Sequence, residues 1–305
     1  MLVNCTTDYE AKSNLNNEQI ISLVIINVLT LVTIIITNSL EIYCLWKTKQ
    51  YHIKSLQLLL MLSIADLTFG VSAETLFIVV LARYPSSTNC FLELFCQFLF
   101  TSIGRVSAYT LILIIFERYA CIVNLRQNHF FVKPCFIKKG MAFVIILSLC
   151  MGAMSVLGAM HHFTGIVQIT KVAVDFFVFV IGCVVQIKSM IKARKHRQAL
   201  QNLIVLMKIE KMHTKLTYIV IFTSLVFYIP YMVTSGVQTM LKKIGSSRNN
   251  LLDFGAFIGF SLVFCNSFAN AVVFLALNRK ARTLLGAILI SFQQRLVNNI
   301  QPISD

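Results

Sequence analysis

Ile20–Trp46 reads IISLVIINVLTLVTIIITNSLEIYCLW, twenty-seven residues with a single charge, Glu41. The hydrocarbon core of a bilayer takes about 20 consecutive, mostly apolar residues in a helix, so this stretch predicts a membrane span. Six runs of the same kind follow: Leu56–Leu81, Phe91–Ile122, Met141–Met160, Ile166–Ile187, Leu216–Met240 and Leu251–Leu277. Only His161–Gly165 parts the fourth from the fifth, and the third is long enough to project beyond the hydrocarbon. Asn278–Leu296 then reads as an amphipathic helix lying in the interface, with Arg279, Lys280 and Arg282 at its start. The expected fold is an all-α membrane protein, a seven-transmembrane helix bundle with a short C-terminal interfacial helix. Residues 1–19 form an extracellular tail, 20–277 the bundle, and 278–305 the interfacial helix and a short cytoplasmic tail.

Composition agrees. Of 305 residues, 57 % are hydrophobic and 13 % charged, where a soluble domain carries about 25 % charged residues. No repeat, low-complexity stretch or Pro/Gly/Ser-rich linker divides the chain, which implies one membrane domain. The net charge of +15 does not imply nucleic acid, because the basic residues sit in short segments between apolar runs, as loops against anionic cytoplasmic lipid do. Nine cysteines are scattered without zinc-site spacing. Residues 1–19 are polar and lack the basic start and short apolar core of a cleavable signal peptide, so the first span is expected to act as the targeting signal. With the N-terminus outside, 20 of the 27 Lys and Arg residues fall in cytoplasmic segments and 6 outside. The positive-inside rule then gives N-out and C-in, a multi-pass plasma-membrane topology. It also sets the sequon Asn4-Cys5-Thr6 on the glycosylating side.

Ionisable residues within spans are costly and need partners or a water-filled cavity. Here they are Glu41, Asp66, Glu74, Arg105, Glu117, Arg118 and Asp175. For Glu41 and Asp175, structural ion pairs or snorkelling side chains are the simplest account. Asp66 and Arg118 stand within motifs. The second span reads Leu62-Ser63-Ile64-Ala65-Asp66-Leu67, the third ends in Glu117-Arg118-Tyr119, and the seventh reads Asn266-Ser267-Phe268-Ala269-Asn270-Ala271-Val272-Val273-Phe274. The first carries Asn38 and the sixth Phe227-Tyr228-Ile229-Pro230. In this order and orientation, over roughly Asn38 to Leu285, the chain resembles the rhodopsin-like (class A) G-protein-coupled receptors.

The resemblance implies a receptor that carries an extracellular signal to a heterotrimeric G protein through outward movement of the sixth span. It implies a mid-membrane sodium ion at Asp66, Ser107, Asn266, Ser267 and Asn270, as an allosteric ligand and not a required cofactor; a water-mediated polar network with no ion is the alternative. Spacing is compatible: Ser107 lies eleven residues, about three turns, before Arg118, and Asn266 and Asn270 are four apart, so each pair shares a helix face. The resemblance also implies a closed-state latch of Arg118 with Glu117 and Glu210. Glu210 lies twenty residues before Pro230, about 30 Å along a helix, and the basic run Lys188–Lys215 would face the G protein.

Several family landmarks differ. Tyr228 stands at the usual Trp, Ala271 at the seventh-span Pro and Phe274 at the Tyr that follows; with Pro230, these would set the activation switch. No Cys occupies the family's outer disulfide position, which is Glu93 here, and Cys90 with Cys5 is the candidate bridge on the oxidising exterior.

The short second outer loop and the missing disulfide resemble the melanocortin and adenosine receptor cluster. An acidic rim of Glu74, Glu93 and Asp253 would suit a cationic small-molecule or peptide ligand, unless these acids pair with Arg83, Lys242 or Lys243. Phe100, where amine receptors carry an Asp, and the absence of Lys between Leu251 and Leu277 speak against amine and retinal ligands. Arg105 would bind an anionic ligand or pair with Asp175. Competing classes are a transporter or channel using the intramembrane charges, and a degenerate receptor that binds without signalling. An enzyme is not expected, since no Ser/His pair, GxGD or HExxH sequence is present.

Overall fold

The computed structural model describes residues 15–83, 90–123, 134–160, 164–199, 219, 222–237 and 250–300. The regular structure among them is helical. The helices are α1 (Asn17–Lys47), α2 (Lys54–Phe69), α3 (Thr75–Ala82), α4 (Cys90–Val123), α5 (Pro134–Met160), α6 (Thr164–Ala199), α7 (Phe222–Val237), α8 (Asn250–Leu277) and α9 (Arg279–Ile300). A 3-10 turn, Gln50–His52, precedes α2, and a π turn, Gly70–Glu74, joins α2 to α3.

Large apolar side chains cover the outside of the bundle, while polar ones are buried beside its apolar core. Ile21, Leu29, Ile36, Phe143, Ile146 and Phe177 are more than half exposed, whereas Asn27, Asn38, Asp66, Glu74, Thr110, Ser148 and Ser224 are completely buried. Such an arrangement is stable only where apolar solvent surrounds the helices. Helices suit that solvent because they satisfy their backbone hydrogen bonds internally. Six of them, with α2 and α3 counted as one, are long and apolar enough to cross a membrane. The protein is a membrane-embedded helical bundle.

The fourth and fifth apolar runs are separate helices, α5 and α6. Pro134 opens α5 at the first helical position, where its missing N–H costs nothing. Of the sixth run, Leu216–Met240, the described residues are 219 and 222–237, and α7 is a shorter apolar helix. The second run departs from a plain α-helix at the π turn. A Cβ on Gly70 would lie 2.7 Å from Ile34 Cγ2, so glycine lets α1 approach there. The wider turn advances the register and leaves Ala73, Glu74 and Phe77 buried.

Side-chain contacts fix direction and register. We call the end at which α1 begins the upper end. Asn27 bonds Ser261 and Asn38 bonds the Ser267 carbonyl, so α1 and α8 run parallel. Ser107 bonds Asp66, and Cys96 lies at the Ala73 carbonyl, so α4 runs against α2–α3. Gln97 bonds Ser155, while Cβ atoms on Gly140 and Gly152 would meet Leu113 and Ser102, so α5 also opposes α4. Arg105 bonds Asp175, and a Cβ on Gly182 would meet Ile112, so α6 runs with α4. Gly255 and Gly259 face Thr234 and Tyr231, so α7 opposes α8. The apolar helices therefore alternate up and down around α4. At the lower end Asn278 turns the chain: its Oδ1 accepts from the N–H groups of Lys280 and Ala281, and its Nδ2 donates to Gln50. This caps α9, which packs on α8 and α1.

Candidate functional site

Three polar constellations line the axis of α4. Ser107 and Arg105 are two residues apart, about 200° around a helix, and so they face opposite neighbours. Ser107 Oγ donates to Asp66 Oδ1 at 2.6 Å, and Asn270 Nδ2 donates to Asp66 Oδ2 at 3.1 Å. Ser267 lies within hydrogen-bonding reach of the same carboxylate. Asn266 is buried, and its Oδ1 and that of Asn270 accept no hydrogen bond from the described residues. Helices α2, α4 and α8 thus bring Asp66, Ser107, Ser267 and Asn270 together, with Asn266 buried on α8. Hard oxygens around one carboxylate suit a small cation or ordered water.

On the other side of α4, Arg105 holds Asp175 of α6. Nε donates to Oδ1 at 3.1 Å and Nη2 to Oδ2 at 2.6 Å, while Nη1 donates to the Thr101 carbonyl at 3.1 Å. Tyr109 Oη adds a fourth bond, to Asp175 Oδ1 at 3.1 Å. Of the two readings left open for Arg105, the ion pair is the one formed. The pair borders a small, largely apolar cleft lined also by Phe100, Phe179, Tyr228, Tyr231 and Met232. Phe100 continues into an aromatic cluster with Phe69, Phe260 and Phe264, at centroid distances of 4.8–5.6 Å.

At the lower end of α4, Arg118 pairs with Glu117 at 3.4 Å. Tyr119 beside it is partly buried. Phe274 of α8 is fully buried in a cluster with apolar residues of α1, α2 and α4, and Ala271 is buried one turn above it. The Pro230 carbonyl accepts a bond from Thr234 Oγ1 at 2.8 Å.

The acidic rim needs correction. Glu74 is completely buried and Glu93 is 6 % exposed, so these two do not form a solvent-facing rim. The π turn sends Glu74 into the bundle, and Glu93 lies in the first turn of α4. Asp253 is on α8, with its side chain outside the described residues, as are Asn4, Cys5 and Glu210. Cys90 is disulfide-bonded to a partner outside the described residues.

One polar seam was not singled out in the sequence. Asn27, Thr30, Ile34, Asn38 and Glu41 recur at intervals of three and four and form the buried stripe of α1. That spacing was the available signal. Thr30 lies 3.8 Å from Cys265 Sγ, and Ser63 is within reach of Glu41. Among the described residues no group of three or more His, Cys, Asp or Glu could hold a metal ion. The chain matches no protein-family model and no curated protein.

Proposed function

We propose that the chain is a seven-span receptor of the rhodopsin-like G-protein-coupled class, in the plasma membrane with its N-terminus outside. The observation that carries this reading is the convergence of Asp66, Ser107 and Asn270 from three helices, with the Glu117–Arg118 pair at the lower end of the same α4. These are positions at which the resemblance requires partners, and the second-span and seventh-span motifs meet at Asp66 and Asn270, 204 residues apart in sequence.

In this reading the cleft beside Arg105 and Asp175 takes the extracellular ligand, a small molecule or part of a peptide. Phe100 and Tyr228 supply aromatic walls. A cationic ligand group exchanges with Arg105 for the Asp175 carboxylate, which frees α6 from α4. Sodium at Asp66 holds α2, α4 and α8 together in the resting state. Arg118, released from Glu117 and Glu210, meets the G protein as the sixth span swings out. The ligand shifts this equilibrium by its differential affinity for the open form. Cys5 is the partner we assign to Cys90, since Cys121 and Cys135 lie at the lower end of the bundle. The sequon at Asn4 carries glycan, and α9 lies in the cytoplasmic interface against lipid.

The altered switch residues Tyr228, Ala271 and Phe274 favour a second reading, a receptor that binds without signalling. Three buried carboxyls on α1–α3 favour a third, a transporter or channel. Expression with reporters for each G-protein class, comparing wild type with Arg118→Ala at equal surface density, separates the three. A receptor shows basal signalling that the variant loses. Substrate-dependent current or uptake indifferent to Arg118 sinks the proposal.

A further inference from the structure

The seam between α1, α2–α3 and α8 has an unusual donor balance. Among the described residues of these helices, the buried polar atoms left without a hydrogen bond are Asn27 Oδ1, Asn38 Oδ1, Glu41 Oε1, both carboxylate oxygens of Glu74, Asn266 Oδ1 and Asn270 Oδ1. Every one is an acceptor. A buried acceptor without a donor costs free energy, and a seam made only of acceptors cannot satisfy itself by rotating side chains. Protons, water or cations have to be supplied from outside the protein.

The charge balance points the same way. Glu41, Asp66 and Glu74 are each at most 1 % exposed. No Lys, Arg or His occurs in 20–45, 56–82 or 250–277. The nearest helix with a cation in its interior is α4, where Arg105 is already committed to Asp175 on the opposite side.

Glu74 is the most exposed to this argument. It lies eight residues from Asp66, about 12 Å along the helix axis, so the two carboxylates do not share a ligand. It closes the π turn, a rare backbone form that recurs at functional sites. Gly70 packs on Ile34 of the antiparallel α1, which sets Glu74, one turn above Gly70, at the level of Thr30, one turn above Ile34; Thr30 lies 3.8 Å from Cys265 Sγ. The orphaned Asn27 Oδ1 lies one turn further up α1. Thr30 Oγ1 and Asn27 Oδ1 are hard, neutral oxygens on the facing helix, and with Glu74 as the one carboxylate at this level there are too few acids for calcium, which draws on several carboxylate ligands.

We propose that Glu74 is a second monovalent-cation station, separate from Asp66, on a hydrated polar track between α1, α2–α3 and α8. A cation entering from the upper end meets Glu74 first and Asp66 next. The station requires only the membrane bundle and does not depend on receptor activity.

The test is equilibrium binding of radiolabelled sodium to the full-length chain in nanodiscs, with choline as the background cation. Wild type is expected to bind two ions, and Glu74→Gln and Asp66→Asn one each. Glutamine mimics a protonated glutamate, so if Glu74 is merely neutral the variant binds as wild type does, and the proposal is overturned. A loss on Glu74→Gln with none on Asp66→Asn leaves this station standing and removes sodium from the Asp66 centre. Should Glu74→Gln fail gel filtration as a folded species, Thr30→Val replaces it. That variant is expected to weaken one of the two binding phases several-fold, and an unchanged titration overturns the proposal.

Discussion

At the scale of single residues, the Arg105–Asp175 pair is the most consequential contact between α4 and α6. Both side chains are largely buried, and the pair makes a two-bonded fork. Removing one partner from a buried pair strands the other charge, at a cost of roughly 3–5 kcal/mol, whereas replacing both with apolar residues is often close to neutral. Arg105→Gln and Asp175→Asn are therefore each expected to lower the thermal midpoint in nanodiscs markedly. The double variant Arg105→Met/Asp175→Leu should recover most of the loss, and a double variant as unstable as the singles would refute this account. Asp66 and Asn270 were legible in the sequence because each belongs to a quoted motif, and Ser107 because it stands at the position that the resemblance implies, on the Arg118 face of its helix. Glu74 was visible as an intramembrane acid, but its direction into the bundle was not, because that follows from a π turn, and the residues Gly70–Glu74 carry no pattern that distinguishes a π turn from an α turn. Asp175 was visible as an intramembrane acid, but only the parallel register of α4 and α6 decides that Arg105 is its partner.

At the scale of the elements, hydropathy located the helices well because lipid solvation demands long apolar runs regardless of tertiary contacts. The separation of α5 from α6 follows from the polar break at His161–Gly165. Packing between the helices was less legible, since it depends on where small residues face one another. Gly152 is a clear case: a Cβ there would sit 2.8 Å from Ser102 Cβ, inside contact distance. Gly152→Ala should push α5 from α4 and destabilise the bundle by about 1–3 kcal/mol. Gly286 in α9 has nothing within 4 Å of its Cβ position, so Gly286→Ala should instead stabilise α9 by up to about 1 kcal/mol through helix propensity. Thermal unfolding of the two variants, run side by side, is expected to shift in opposite directions. Equal shifts would mean that Gly152 is not a packing site.

At the scale of the whole molecule, orientation rests on the distribution of Lys and Arg and predicts that Asn4 meets the glycosylation machinery. Glycosidase treatment of the chain from mammalian cells should increase its gel mobility, and Asn4→Gln should abolish that change. A glycan-free wild type with a protease-accessible C-terminus at the cell surface would reverse the topology. The alternating helices also carry a consequence for how the protein is made. Asn27 finds Ser261 as its partner, 234 residues later in the chain, and Asn38 likewise waits for Ser267. At about 5–20 residues per second of synthesis, α1 spends roughly 10–50 s in the bilayer before α8 exists. Throughout that interval Asn27 and Asn38 lack their α8 partners, whereas Glu41 meets Ser63 as soon as α2 is made. A nascent chain released before α8 would therefore expose the α8-facing side of α1, with Asn27 and Asn38 left only the bonds they make to carbonyls of their own helix.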